Sequence, residues 1–278
     1  MLEAGLMKKV GILFHPKIPV AEALAHDLAK SLAHFEASTW LCSAWDEGDA
    51  KEKAPGTDLI LSIGGDGTML RAARVAAPLS IPILGINLGH LGFMIELTAE
   101  EFRDKMPQLL AGGGWVDERA MLEARLSSQE GSFHALNDVV VARGARARVV
   151  RVQVAIDGEP LTVYKSDGLI VATATGSTGY SLAAGGPILY PGGKELLLTP
   201  ISAHLSLAIP LVFPPEAVLT LEVHTDEQAL LSIDGQIEVK LNDGDLVEVK
   251  RSPYVTRLLR TQPPAFFYRT LTERLGRK

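Results

Sequence analysis

The sequence predicts an α/β unit built on a parallel sheet, followed by a largely β unit. Three observations carry this. Short apolar runs alternate with helix-like segments through the first part of the chain, the pattern of parallel strands covered on both faces. Gly112-Gly113-Gly114 then interrupts the chain. Beyond it, strand-like runs follow one another with Asp-Gly turns between them, a hairpin signal. The divisions read from this are residues 1–115, residues 116–260 and a C-terminal segment, 261–278.

Each element has its own signal. Residues 10–14 form a short apolar strand, and residues 20–35 carry apolar positions at helical spacing. Residues 58–63 are the second strand, 68–77 an Ala-rich helix, and 81–86 a third strand closed by Asn87-Leu88-Gly89. Thr98 with Glu101 three residues on is a capping box for a helix over 98–110. In the second part, strands are expected over 121–127, 136–142, 149–156, 161–164, 169–174, 218–224, 229–233, 237–241 and 246–250. Asp157-Gly158, Asp234-Gly235 and Asn242-Asp243-Gly244 supply turns. Residues 264–275 read as a closing helix.

Composition excludes several classes. With 47% hydrophobic and 22% charged residues, the chain can bury a substantial core. A net charge of −6 argues against nucleic-acid and anionic-membrane partners. The lone cysteine, Cys42, rules out an internal disulfide and a cysteine zinc cluster, fits a buried small hydrophobe, and is compatible with a reducing compartment. Lys8 and Lys9 precede only five apolar residues before Pro16 and Pro19, too few for a signal peptide or a membrane span. The expectation is a cytoplasmic protein.

The most informative string is Gly64-Gly65-Asp66-Gly67-Thr68, which follows the apolar run ending at Ile63 and opens the Ala-rich helix. Glycines there let backbone approach a phosphorylated ligand, and the helix start offers N–H groups to anions. A carboxylate would repel phosphate, so Asp66 needs a task in chemistry, in a metal site or in orienting a hydroxyl. The competing reading is a tight turn with an Asp cap. Ligands of parallel sheets bind at the carboxyl ends of strands. Residues 64–68 and 87–93 both lie at such ends and are expected to face one crevice. No Walker loop and no Gly-x-Gly-x-x-Gly fingerprint is present, which argues against a conventional hydride-transfer enzyme.

A second string, Thr173-Ala174-Thr175-Gly176-Ser177-Thr178-Gly179-Tyr180-Ser181, follows an apolar strand and runs into Leu182-Ala183. Its hydroxyls and glycines suit ribose or phosphate, and Tyr180 offers a ring for stacking on adenine. The competing reading is a capped helix start. Asn137-Asp138 can grip adenine or ribose hydroxyls, or stand in a solvated turn. Arg143, Arg146, Arg148 and Arg151 form a basic run, read as an exposed loop or as charge for a phosphate. His90 has no metal-type spacing and reads as structural. No metal-ligating set is expected from the protein.

Taken together, residues 64–68, 87–93, 137–138, 166–191 and 234–236 resemble the NAD kinase family, in order and across most of the chain. Gly-Gly-Asp-Gly-Thr alone also resembles lipid kinases and phosphofructokinases; the block 166–191 singles out NAD kinases. The resemblance implies a Rossmann-like α/β domain of the phosphofructokinase and lipid-kinase kind, then a β-rich NAD-binding domain, with the active site between them and the C-terminal segment returning to the first. It implies transfer of the γ-phosphate of ATP, or of polyphosphate, to the 2′-hydroxyl of the adenosine ribose of NAD. A divalent metal, usually magnesium, accompanies the donor. Homo-oligomers, dimers or tetramers, are implied, with a neighbouring subunit able to contribute to the NAD site.

Residue by residue, Asp66 matches the family's proton acceptor and Gly67 its neighbour on the nucleotide. Arg71, one helical turn on, is carried over as a nucleotide contact. Asn137 and Asp138 match the pair that holds adenosine, although many relatives have Glu at the second position. Arg148, Lys165 and Asp167 match binding positions, Asp167 toward the nicotinamide. Thr175, Thr178, Gly179, Tyr180, Ser181, Leu182 and Ala183 match the loop that cradles adenine and ribose. Phe93 matches an aromatic beside the pocket, and Gln236 a polar contact. Leu88 replaces a usual Thr, Ala203 a usual Pro and Ile209 a usual Arg. The rival readings are a lipid or sugar kinase of the same superfamily and a non-catalytic dinucleotide sensor.

Overall fold

In the computed structural model, residues 7–89, 92–144, 149–203 and 207–276 are described. The chain divides into two compact units. One runs to Glu118 and is completed by the segment from Thr256 onward; the other is Arg119–Val255.

The first unit opens with β1 (Lys9–Phe14), α1 (Pro19–Ala33), β2 (Ser38–Ser43), α2 (Glu47–Lys53), β3 (Leu59–Ile63), α3 (Asp66–Ala76), β4 (Pro82–Asn87), β5 (Leu97–Thr98) and α4 (Ala99–Leu110). The strands are parallel in the order β2-β1-β3-β4. β3 is buried throughout, as a strand covered on both faces must be. Gly11 is required by its neighbour: a Cβ there would lie 2.3 Å from the Trp40 ring, which packs across from β2. Thr98 and Glu101 form the expected capping box. Leu88 packs on this unit's core. Successive strands are added on one side of β1 and then on the other, so the chain changes direction between β1 and β3. Their carboxyl ends therefore leave a crevice, the usual ligand position in such sheets.

The second unit is built mainly from β6 (Trp115–Leu126), β7 (Phe133–Ala135), β8 (Asp138–Arg143), β9 (Val150–Ile156), β10 (Glu159–Ser166), β11 (Gly168–Ala172), the short α5 (Tyr180–Ala183), β12 (Leu196–Ile201), β13 (Leu211–Phe213), β14 (Leu219–His224), β15 (Ala229–Ile233), β16 (Ile237–Leu241) and β17 (Leu246–Arg260). One antiparallel sheet has the order β13-β12-β11-β8-β15-β16. The other contains β10, β9 and β14, with β17 beside β14. Alternate residues such as Val139, Val141, Leu169 and Val171 meet Val152, Val154, Leu219 and Leu221 in one core, the packing of a two-sheet sandwich. The opposite face of the first sheet, at Val140, Ile170 and Leu197, is covered by Ala184 and Leu189. The segment after β11 thus lies on the outside of that sheet.

β17 and β6 carry the chain across the division. The end of β17 pairs in parallel with β4, Arg257 opposite Pro82. The final helix, α6 (Phe266–Gly276), belongs to the first unit. Among the described residues, no helix is long and apolar enough to cross a membrane.

Candidate active site

In the first unit, Asp66 is the opening residue of α3, with Gly65 as its N-cap in extended conformation. A carboxylate in the first turn complements the helix dipole. Its side chain turns toward the loop after β4. Oδ2 accepts the Phe93 N–H at 2.9 Å and Oδ1 the Met94 N–H at 3.2 Å. Asp66 thus ties together the two strand ends expected to share a crevice. Asp66 is half-buried, whereas Gly65 and Gly67 are exposed. On the first strand's side, His15 donates its backbone N–H to Ile63, which sets the β1 loop against Gly64.

The Phe93 loop is held from behind by residues that no motif in the sequence marks. Arg260, buried at the end of β17, donates to the Met94 carbonyl at 2.8 Å. Glu96 accepts from the Thr261 N–H, the Thr261 hydroxyl and the Gln262 N–H. From α6, Arg274 donates to the Phe93 carbonyl at 3.2 Å and lies over the Phe93 ring at 5.7 Å. Burial pushes the Arg274 guanidinium below its usual range, with Arg260 adding repulsion while Asp66 and Glu96 oppose the shift. A charge pattern could not have shown these roles, because their partners lie far away in sequence.

Arg71 sits one turn along α3 with its guanidinium 4.2 Å from the centre of the Trp45 ring. His15 meets the same ring edge-on. Arg74, a turn further, pairs with Glu47 at 3.1 Å. Partial burial and the neighbouring Arg74 lower the Arg71 pKa, offset in part by Glu47.

The second unit gathers a different set. β8 and β11 pair with Asp138 opposite Ala172, so the start of one strand meets the loop leaving the other. Thr173 fixes the join: its N–H donates to the Asn137 carbonyl and its hydroxyl to the Leu136 carbonyl. Gly176 presses on the same peptide; a Cβ there would stand 2.0 Å from the Asn137 oxygen. Gly179 lies beside the two side chains, its Cβ position 3.6 Å from Asn137 Nδ2 and 3.9 Å from Asp138 Oδ2. Asn137, Asp138, Thr175, Thr178 and Gly179 therefore stand together. Asn137 Oδ1 is buried with no hydrogen-bond partner among the described residues, an acceptor free to take a donor from a ligand.

Asp138 is not a solvated turn residue. It is buried, and desolvation together with the nearby Asp234 carboxylate pushes its pKa up to about 7. Gln236 follows Asp234 in the loop joining β15 and β16, and its N–H donates to the Ile233 carbonyl. Cys42 is buried as expected, and burial pushes its thiol up to about 12.

The hydroxyl string is less available than its sequence suggests. Ser177 donates to the Ala174 carbonyl and accepts from Leu189, and Ser181 bonds Thr199. Together with Thr173, these hydroxyls fold the loop itself. Thr178 donates to the Thr175 carbonyl, and Thr175 accepts from Arg119. Tyr180 presents its ring to solvent, and Leu182 and Ala183 are at least partly accessible.

Lys165 and Asp167 do not join this group. Asp167 precedes the other end of β11, about 17 Å away at strand spacing, and there pairs with Arg143 at 2.7 Å. Lys165 is on the exposed side of β10. Arg148 and His90 lie outside the described residues, as does Arg146. Ala203 and Ile209 flank another such stretch, and Ile209 is exposed.

The chain matches the ATP-NAD kinase N-terminal domain over residues 6–114 and the ATP-NAD kinase C-terminal domain over residues 136–261. It is 45% identical to an NAD kinase of Dehalococcoides mccartyi over 97% of this chain and 96% of that one. To an NAD kinase of Chloroflexus aurantiacus it is 42% identical over 98% and 100% of the two chains. Its fold is similar to that of yeast NADH kinase complexed with NADH, with a TM-score of 0.86, 26% identity, and 99% and 89% of the chains covered. An NAD kinase from Archaeoglobus fulgidus in complex with ATP gives a TM-score of 0.77 at 25% identity, covering 96% and 98%. A carboxylate held at the crevice of a parallel sheet and an Asn-Asp pair set against a glycine-rich loop accompany these likenesses, and the chain belongs to the NAD kinase family.

Proposed function

We infer that this chain transfers the γ-phosphoryl group of ATP to the 2′-hydroxyl of the adenosine ribose of NAD, giving NADP and ADP. One observation carries the chemistry: the Asp66 carboxylate stands at the carboxyl ends of β3 and β4, oriented by the Phe93 and Met94 amides. Phosphoryl transfer asks for in-line placement, charge neutralisation and a proton sink. The ribose oxygen forms its bond to γ-phosphorus as the bond to the β-phosphate oxygen breaks. Its proton passes to Asp66. An alcohol is too weak an acid to surrender that proton beforehand, so Asp66 orients the hydroxyl and accepts late.

Recognition in this reading falls to Asn137 and Asp138 for adenosine, with Thr175, Thr178, Gly179 and the Tyr180 ring beside them. Gly67 and the backbone of α3's first turn face the donor phosphates, and Arg71 adds positive charge. Among the described residues, no group of three or more His, Cys, Asp or Glu side chains is set to hold a metal, and both Asp66 oxygens already accept amides. A magnesium ion would be held mainly by the donor's phosphate oxygens, and Asp66 is the carboxylate of this chain that could lie near it. Such an ion supplies neutralising charge to the triphosphate.

The position of Asp167 supports a homo-oligomer. It belongs to the binding set by resemblance but stands at the far end of β11 from Asp138, so a second copy would supply it to the dinucleotide. We also place the enzyme in the cytoplasm, a reading supported by its single, buried thiol. A coupled assay for NADP from NAD and ATP tests the function, with polyphosphate as alternative donor and diacylglycerol and a sugar phosphate as control acceptors. Phosphorylation of NAD alone is expected. Turnover of a control acceptor in place of NAD overturns the reading.

A further inference from the structure

Asp234 lies at the end of β15 in left-handed conformation, φ +52°, and is buried. Its carboxylate accepts three consecutive backbone N–H groups: Leu136 at 3.0 Å, Asn137 at 2.7 Å and Asp138 at 3.2 Å. Its own N–H donates back to the Asp138 carbonyl. Three amides converging on one carboxylate fix a peptide far more tightly than strand pairing alone, and they compensate the buried charge. The peptide they fix carries the two side chains read as the adenosine contacts.

Asp234 also faces Asp138. The other elements packed on Asp138 add little charge. β11 has no ionisable residue, and residues 173–183 have only Tyr180. Arg119 reaches this side from β6 and donates to Thr175. The charge bearing on Asp138 is Asp234's, on top of burial.

We propose that Asp234 is a positioning residue for the dinucleotide site, and that its charge, added to the burial of Asp138, makes NAD binding weaken toward acid pH. The proposal rests on Asn137 and Asp138 holding the adenosine of NAD. An ionised Asp138 accepts from two ribose hydroxyls; a protonated one must spend an oxygen as a donor. NAD therefore binds best once Asp138 has lost its proton. Removing the Asp234 charge lets that happen at lower pH.

The test is NAD binding to the full-length protein without ATP, by calorimetry between pH 5.5 and 8.5. Wild type is expected to weaken as pH falls through about 7, the value to which Asp138 is raised. Asp234→Asn keeps an acceptor oxygen for Asn137 and Asp138, so it should still bind, with its acid limb moved to lower pH. Asp234→Ala should weaken NAD at least about tenfold at pH 8. Asp138→Asn should bind weakly and without pH dependence, and it decides the question if Asp234→Ala fails to fold. A pH-independent wild type, or an Asp234→Asn profile superimposed on wild type's, overturns the proposal. If Asn137→Ala and Asp138→Asn bind NAD normally, the adenosine reading itself is what fails.

Discussion

Gly92 has no side chain where the Asp66 carboxylate stands: a Cβ built on Gly92 would lie 2.2 Å from Oδ1 and 2.7 Å from Oδ2. The same carboxylate accepts the N–H groups of the next two residues. The glycine and the acid form one device, in which the loop's backbone closes over the carboxylate and the amides aim it.

Gly92→Ala should therefore misplace Asp66 without unfolding the unit. A displacement of about 1 Å at a reacting group costs on the order of 10²-fold in rate. Turnover is expected to fall by that order while the melting temperature changes little. An alanine variant with wild-type kcat would show that the carboxylate's resting position is irrelevant to the reaction.

Asp66→Asn keeps the shape and one amide-accepting oxygen but loses the proton acceptor. Its kcat should drop by orders of magnitude with NAD affinity retained. Single-turnover kinetics beside equilibrium binding separates the two. Near-normal turnover would remove Asp66 from the chemistry.

Arg274 acts on Asp66 at one remove, through the Phe93 carbonyl and ring. Arg274→Ala should lower kcat about tenfold with smaller changes in either KM, and Arg274→Lys should recover part of the loss by restoring a cation over the ring. Equal losses in both KM values and in thermal stability would mean that α6 merely closes the core.

Much of the framework was legible because local chemistry and fold agree. The apolar runs of β1, β3 and β4, the Thr98 capping box and the Asp-Gly turns each declare themselves within a few residues. β2 and α2 did not. Ser38–Ser43 mixes polarities because it is half-buried, and Glu47–Lys53 is polar on all sides, burying only Ala50. The long β17 was hidden beyond Lys250 by Arg251 and Pro253, which interrupt its alternation. At the site, Asp66 was legible from its glycine neighbours, and Asn137 only through the family resemblance. The residues that aim them, Glu96, Arg274 and Asp234, were not, because their hydrogen bonds close loops of roughly a hundred residues or more.

The burial of Asp138 also has a consequence for stability. An unfolded Asp titrates near 3.9, whereas in the folded protein this one is raised to about 7. The folded state holds the proton more tightly, so the contribution to stability is fully present below about pH 4 and is lost as pH rises through 7. Asp138→Asn mimics the protonated acid at every pH. In urea unfolding it should match wild type near pH 4 and exceed it at pH 8, by on the order of 2 kcal/mol or more. A difference that does not change with pH would show that Asp138 is solvated rather than buried. If the difference appears, the adenosine site is maintained against the stability of its own sheet, since the ionised carboxylate that suits the ribose is the form the buried strand end tolerates least.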